Sequence, residues 1–403
     1  MSPLMSALPV FLGFLTSLLG ALALVPLVRR LALRVGWVDS PDGGRKAHAA
    51  PIPNVGGLAI VGGVLIGLGT AAALGALGLA ALDGALPSPR WLIGGLLIAA
   101  VGFVDDRVDL SHWTRLAAQL GVSALAFSDG ARITLFDGAL GGGTLALAVS
   151  FALTAVWMVG MMNAVNMIDG LDGLAGGAVA IAFAGLTAVH IVSGSAPSLI
   201  LGAAVVGAVA GFLRYNAAPA SVFMGDSGSL FLGFALASFG LSGTAHVNPV
   251  LNLVIPAVVM GLPVLDTLTS ILRRVLTRRA PFAPDKDHIH HRLAERMTSS
   301  AAVHTLWGLS LFLALGGLAM ASLPAWASAL VFMVGTGVVY DLLWRIDYLP
   351  SPSTLAVPVR TRFLGGGRTE RGHTISTPSA PDLPPRAGRF SDERFRPVSR
   401  PER

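Results

Sequence analysis

The first 350 residues contain 16 Asp and a single Glu, Glu295. Short, stiff carboxylates gathered in loops suit the positioning of metal ions and phosphates better than they suit generic solubility. Three of them stand together in Asp105-Asp106-Arg107-Val108-Asp109. Adjacent carboxylates repel, and on a continuing helix Asp105 and Asp109 share a face, so the group calls for a cation or for a raised pKa on one member. The plainer alternative is a solvated helix end with Arg107 as partner. A second cluster, Asn163, Asn166, Asp169 and Asp172, recurs at every third position, with Val165, Ile168, Leu171 and Leu174 in the complementary phase. That period drifts slowly around a helix and predicts one amide-and-carboxylate side and one packed side. Gly170 and Gly173 follow the two Asp and let a phosphate or a second backbone come close. No Lys or Arg compensates these carboxylates, which is costly near a bilayer; turn and cap roles are the competing explanation.

Three further clusters carry polar chemistry. In Asn216 to Ser229, small residues surround Phe223, Asp226 and Ser227 ahead of an apolar run. Free N–H groups at such a helix start suit an anion, and Asp226 there could hold a divalent metal bridging it, or could merely cap the helix. Phe223 could stack on a nucleobase or pack at the membrane edge. In Asp285 to Leu293, His288, His290 and His291 lie beside Lys286 and Arg292. Without any Cys and with this spacing, a phosphate pocket of pH-dependent charge is favoured over a zinc site. Lys46 and His48, in a turn closed by Pro51, Pro53, Gly56 and Gly57, offer another phosphate contact. Asp266 lies inside an apolar stretch, a functional candidate that could instead pair with Arg273 or Arg274.

The elements that position these residues follow from composition. Of 403 residues, 53% are hydrophobic and 12% charged, and mean hydropathy is +0.71. A soluble domain carries roughly twice that charged fraction, so the chain reads as all-α and membrane-resident, and neither soluble nor disordered. Eleven candidate spans centre on 5–28, 55–82, 91–104, 116–128, 145–162, 174–193, 198–213, 228–243, 250–272, 303–322 and 326–343. With the N-terminus outside, 26 of the 28 Lys and Arg fall on the cytoplasmic side, and only Arg90 and Arg132 fall outside. All five polar clusters then meet at one cytoplasmic face, unlike the midplane charges of a transporter. Residues 1–350 form the membrane domain. Residues 351–403, with 10 Arg against 5 acids, read as a disordered basic tail that holds most of the +6 net charge. The basic balance therefore does not point to a nucleic-acid partner.

Taken in order, the motifs from Arg45 to Leu293 resemble those of the polyprenyl-phosphate N-acetylhexosamine-1-phosphate transferases, glycosyltransferase family 4. The resemblance implies ten or eleven membrane helices in a bacterial plasma membrane. It also implies transfer of a sugar 1-phosphate from a UDP-N-acetylhexosamine to polyprenyl (undecaprenyl) phosphate with release of UMP. Mg²⁺, with Mn²⁺ as a substitute, would be the cofactor and a homodimer a permitted assembly. By motif, Asp226 and Asn166 would hold the metal, Asp105 would deprotonate or orient the lipid phosphate, and Asp106 and Asp169 would complete the acidic centre. Phe223 would stack on uracil. Lys46, His48, Asn216, His290, His291 and Arg292 would contact phosphates, with Asp109, Asn163 and Asp172 lining the substrates. Asp109, His290-His291-Arg292 and Pro51 to Gly57 depart from the pattern of the muramoyl-pentapeptide branch and favour the UDP-GlcNAc branch. A secondary transporter is the competing class.

Overall fold

A computed structural model of the chain describes residues 3–39, 51–80, 82, 85–194, 199–242, 248–276 and 288–348. The tail expected at 351–403 lies outside them. The described residues are helical almost throughout: α1 (Pro3–Val35), α2 (Gly56–Ala76), α3 (Pro89–Val108), α4 (His112–Ser128), α5 (Thr144–Ile168), α6 (Leu174–Val192), α7 (Leu199–Asn216) and α8 (Gly225–Ser242) come first. Then follow α9 (Pro249–Val259), α10 (Gly261–Leu276), α11 (Ile289–Ala294), α12 (Ser299–Ser322) and α13 (Ala325–Arg345). A two-residue ribbon pairs β1 (Val38–Asp39) with β2 (Ile52–Pro53) antiparallel. Helix satisfies the backbone internally, which a chain this apolar needs in hydrocarbon. Ser88, Ser111, Asn248 and Thr298 cap their helices with side-chain oxygens.

The protein is an all-α polytopic membrane protein. Each expected span coincides with a helix, 250–272 with the pair α9 and α10, which bend by 93° where they meet. Among the described residues, α1, α2, α5, α6, α7, α12 and α13 are each long and apolar enough to cross a bilayer, and the bent pair makes an eighth if it is one span. The other three expected spans fall short for local reasons. The last turn of α3 carries Asp105, Asp106 and Arg107, α4 has 17 residues, and α8 opens on Asp226 and two Ser.

Helix α8 lies at the centre: every residue from Ser227 to Gly240 is buried. It packs against α2, α3, α5 and α6. Glycines permit that approach. A Cβ on Gly233 would lie 2.5 Å from the Met162 Cα of α5, and one on Gly102 of α3 would strike the Asp226 carbonyl. Trp91 Nε1 donates to Ser238 Oγ at 2.9 Å, tying α3 to the far end of α8. Gly102→Ala is therefore expected to push the first turn of α8 aside at a cost of about 1–3 kcal/mol, read as a lowered Tm in detergent. Beside this core, α5, α9, α10, α12 and α13 line an apolar cavity of about 1150 Å³.

Candidate active site

The connections α1–α2, α3–α4, α5–α6, α7–α8 and the segment before α12 converge at one end of the bundle. Phe223 bridges Asn54 in parallel, and Phe223 N–H donates to the Pro53 carbonyl at 2.8 Å, which anchors the turn before α2 to the turn before α8. Asn54 Nδ2 then donates to Asp106 Oδ1 at 2.7 Å. The Asp226 N–H donates to both oxygens of Asp106, at 3.2 and 3.0 Å. Asp106, on α3, thus caps α8, and Asp226 does not serve as that cap. Gly225 has φ +71°, and a Cβ there would lie 2.5 Å from Asn54 Oδ1 and 2.7 Å from Asp106 Oδ2. The turn is closed by a residue that needs both the left-handed backbone and the missing side chain.

Asn166, in the last turn of α5, donates through Nδ2 to Asp226 Oδ1 at 2.7 Å and to Ser229 Oγ at 2.9 Å. Asp169 caps the C-terminus of α5. Its carboxyl is pushed up to about 7, first by burial and then by Asp226, Asp106 and Asp172. Asp106 and Asp226, at the ends of their apolar stretches, are likewise raised, chiefly by burial. Asp105 is buried; Oδ1 accepts from Leu110 N–H at 2.8 Å and Oδ2 pairs with Arg115 at 3.1 Å. Arg115 did not stand out in the sequence. Only its place in the same connection as the Asp pair pointed to it.

Several expectations change. Helix α3 ends at Val108, and Asp109, with φ 49°, is its exposed left-handed cap, so Asp105 and Asp109 share no helix face. Arg107 does not pair with Asp105. Its guanidinium lies 3.4 Å from the Phe103 ring and 4.5 Å from that of Trp37, and Nη1 donates to the Phe103 carbonyl at 2.5 Å. The three-residue period does not mark one continuous helix, because α5 stops at Ile168 and Gly173 turns the chain at φ +80°. Asn216 is buried with both ends spent internally: Oδ1 accepts from Gly173 N–H and Nδ2 donates to the Val222 carbonyl, both at 3.0 Å. Asp172 Oδ2 accepts from Ala220 N–H at 2.8 Å. These two residues hold the turns before α6 and α8 together. Asn163 donates to Gln119 Oε1 of α4 at 3.0 Å and stays exposed. Phe223 is half-buried. Lys46 and His48 lie outside the described residues.

The histidine motif reaches the same place. A Cβ on Gly170 would lie 2.6 Å from His290 Nε2, so His290 packs on the turn after Asp169. Burial pushes the His290 imidazole down to about 4, so it is neutral at pH 7 and does not add the positive charge expected of it. His291 is exposed, its ring 4.2 Å from that of His290, and Arg292 follows on α11.

The centre fits a hard divalent cation in its donor chemistry: carboxylate and amide oxygens, with a surplus of negative charge that raises Asp169. Among the described residues no three Asp, Glu or His converge as a complete ligand set. A cation here would fill its shell with Asn166, water and substrate phosphates, as Mg²⁺ commonly does.

The model of glycosyl transferase family 4 matches residues 89–244, from α3 through α8. A Bacillus subtilis protein named as a probable undecaprenyl-phosphate N-acetylglucosaminyl 1-phosphate transferase is 33% identical over 81% of this chain and 88% of its own length. The chain belongs to glycosyl transferase family 4. Two other proteins are similar to it. The decaprenyl-phosphate N-acetylglucosaminephosphotransferase of Mycolicibacterium smegmatis is 35% identical over 66% of this chain and 71% of its own length. The undecaprenyl-phosphate alpha-N-acetylglucosaminyl 1-phosphate transferase of Escherichia coli K12 is 27% identical over 76% and 83%. The family match takes in Asp105, Asp106, Asn166, Asp169 and Asp226 of this transferase and leaves its histidine motif outside.

Proposed function

We propose that this chain transfers N-acetylglucosamine 1-phosphate from its UDP-sugar to a polyprenyl phosphate at the cytoplasmic face of the bacterial plasma membrane. The observation that carries this reading is the convergence of Asp105, Asp106, Asp169 and Asp226 with Asn166 at one end of a bundle that also holds the apolar cavity lined by α5, α9, α10, α12 and α13. The cavity suits a prenyl chain and the carboxylates suit phosphate chemistry, and all three relatives described above are named for N-acetylglucosamine 1-phosphate transfer to prenyl carriers. The 26-to-2 partition of cations supports the cytoplasmic side and eleven crossings, with α3, α4 and α8 as the three beyond the eight.

In the reaction, a phosphate oxygen of the acceptor bonds to the sugar-bearing phosphorus of the donor. The bond from that phosphorus to the bridging oxygen breaks, and UMP leaves with the electron pair. Asp226 and Asn166 would hold Mg²⁺, with Mn²⁺ able to replace it. Bound there, the ion supplies charge neutralisation for two phosphate-bearing reactants. Asp106 keeps Asp226 in place through α8. Asp105, held by Arg115 and Leu110, orients the acceptor phosphate. His290, neutral, offers its one ring N–H to a phosphate beside Asp169. Membranes holding the protein, given undecaprenyl phosphate, Mg²⁺ and labelled UDP-GlcNAc, should yield a solvent-extractable product and UMP. Transfer from UDP-MurNAc-pentapeptide alone, or from no UDP-sugar, would overturn the reading.

Cation binding should also release a proton. Asp169, beside the cation-holding Asp226, is half protonated near pH 7, and a cation bound at Asp226 favours its ionised form. Mg²⁺ affinity is therefore expected to rise up to about tenfold per pH unit below 7 and to level off above it. Calorimetry in two buffers of different ionisation enthalpy measures the released proton directly. The raised pKa carries a second consequence with the opposite sign. The folded state holds a proton that the unfolded chain releases near 3.8, so cation-free protein loses stability as pH climbs from about 4 to about 7.

A further inference from the structure

Helix α10, the second half of the bent pair, presents two different faces. Gly261, Val264, Leu265, Leu268 and Ile271 line the apolar cavity. The other face carries Asp266, 1% exposed, whose carboxylate turns to His288. Its two carboxylate oxygens reach the histidine motif. Oδ2 takes a hydrogen bond from His288 Nδ1 at 2.8 Å, and Oδ1 accepts from Ile289 N–H at 2.8 Å. His288 occupies the N-cap position of α11 but makes no side-chain cap there, so Asp266 supplies the missing acceptor from another helix. Ser270, one turn on, lies 3.3 Å from His288 Nδ1 and 3.1 Å from the Tyr348 hydroxyl, and both groups are buried. From that fixed point, His290 is the second residue of α11. It is 2% exposed, both ring nitrogens lack a hydrogen-bond partner among the described residues, and the ring sits against Gly170.

We infer that Asp266 is a positioning residue for the transfer reaction: by gripping His288 and Ile289 it sets α11 so that His290 faces the Asp169–Gly170 turn. A carboxylate buried in a membrane helix is costly to keep, and here both of its oxygens are spent on the short segment that delivers His290. Asparagine can replace it in kind. Its Oδ1 can accept from Ile289 N–H while its Nδ2 donates to His288 Nδ1, which needs only the other imidazole tautomer. Alanine can do neither.

This inference rests on the transfer reaction proposed above for its kinetic arm. Asp266→Ala is expected to lower kcat/KM for UDP-GlcNAc about thirtyfold, with KM for undecaprenyl phosphate within twofold of wild type. Asp266→Asn should stay within threefold of wild type. Because Asp266 acts through His290, the double variant Asp266→Ala, His290→Ala should be no more than threefold worse than His290→Ala alone. Multiplying effects, or an Asn variant as impaired as the Ala variant, would overturn the assignment. Should Asp266→Ala fail to fold, His288→Ala combined with His290→Ala reads the same coupling. A separate arm needs no turnover: diethyl pyrocarbonate should leave His290 unmodified in wild type and modify it in Asp266→Ala, mapped by mass spectrometry. Equal modification in both proteins would sink the positioning role. If the wild type transfers no sugar phosphate while His290 still becomes reactive, the proposed reaction fails and the positioning role stands.

Discussion

Asp226→Asn is expected to cut sugar-phosphate transfer by about 10³-fold and, at the same time, to raise the thermal stability of the cation-free protein. The two effects have one origin. Asp226 is half-buried beside Asp105, Asp106 and Asp169, and its partial burial together with those charges disfavours its ionised form. The amide is nearly isosteric, can still accept from Asn166 Nδ2, and keeps the N–H that donates to Asp106. It removes a charge the fold pays to hold, so Tm should rise by a few degrees while the carboxylate needed for phosphate chemistry is gone. The Asp169 carboxyl, relieved of a charged neighbour, should fall below about 7. A variant with near-wild-type turnover would remove Asp226 from the chemistry, and one with lowered Tm would show that its charge is compensated in a way the geometry does not display.

Asp106→Ala should behave in the opposite way, losing both activity and stability. Its carboxylate accepts from Asn54 Nδ2 and twice from the Asp226 N–H, so it joins α3, the turn before α2 and the start of α8. Removing it strips a helix cap, worth about 1–2 kcal/mol, and leaves the Asn54 amide without its acceptor. Since the first turn of α8 carries Asp226, transfer should fall about 10²-fold or more. Asp106→Asn retains one acceptor oxygen and should lie between wild type and Ala in Tm. Thermal unfolding in detergent alongside the labelled-sugar assay separates the pair. If Asp106→Ala and Asp226→Asn shifted Tm in the same direction, the division into a capping and a cation-holding carboxylate would be wrong.

The clearest reading from sequence was of what must be apolar and what must not. All eleven apolar stretches became helices or, at 250–272, a bent helix pair, because hydrocarbon leaves the backbone no other way to satisfy its polar groups. The polar clusters also came together at one end of the bundle: Asn54, Asp106, Asn166 and Asp226 form one hydrogen-bonded chain across four connections. The division of labour inside that cluster was not legible. Asp105, Asp106, Asp172 and Asn216 look alike as polar residues near a motif, yet Asn216 and Asp172 are consumed in holding turns, Asp106 caps a helix and Asp105 meets Arg115.

What the sequence determined by itself was therefore the class of protein, the motifs in which its carboxylates gather and the family those motifs match. Those depend on composition and spacing, which are local properties of the chain. Only the tertiary structure decided which carboxylates are spent on caps and turns, where Arg107 and Arg115 turn, and that Asp266 grips His288 twenty-two positions away. Each of these is a choice of partner between helices. It is set by where small residues such as Gly102 and Gly233 let backbones meet, and side-chain partners follow from that approach rather than from their distance along the chain.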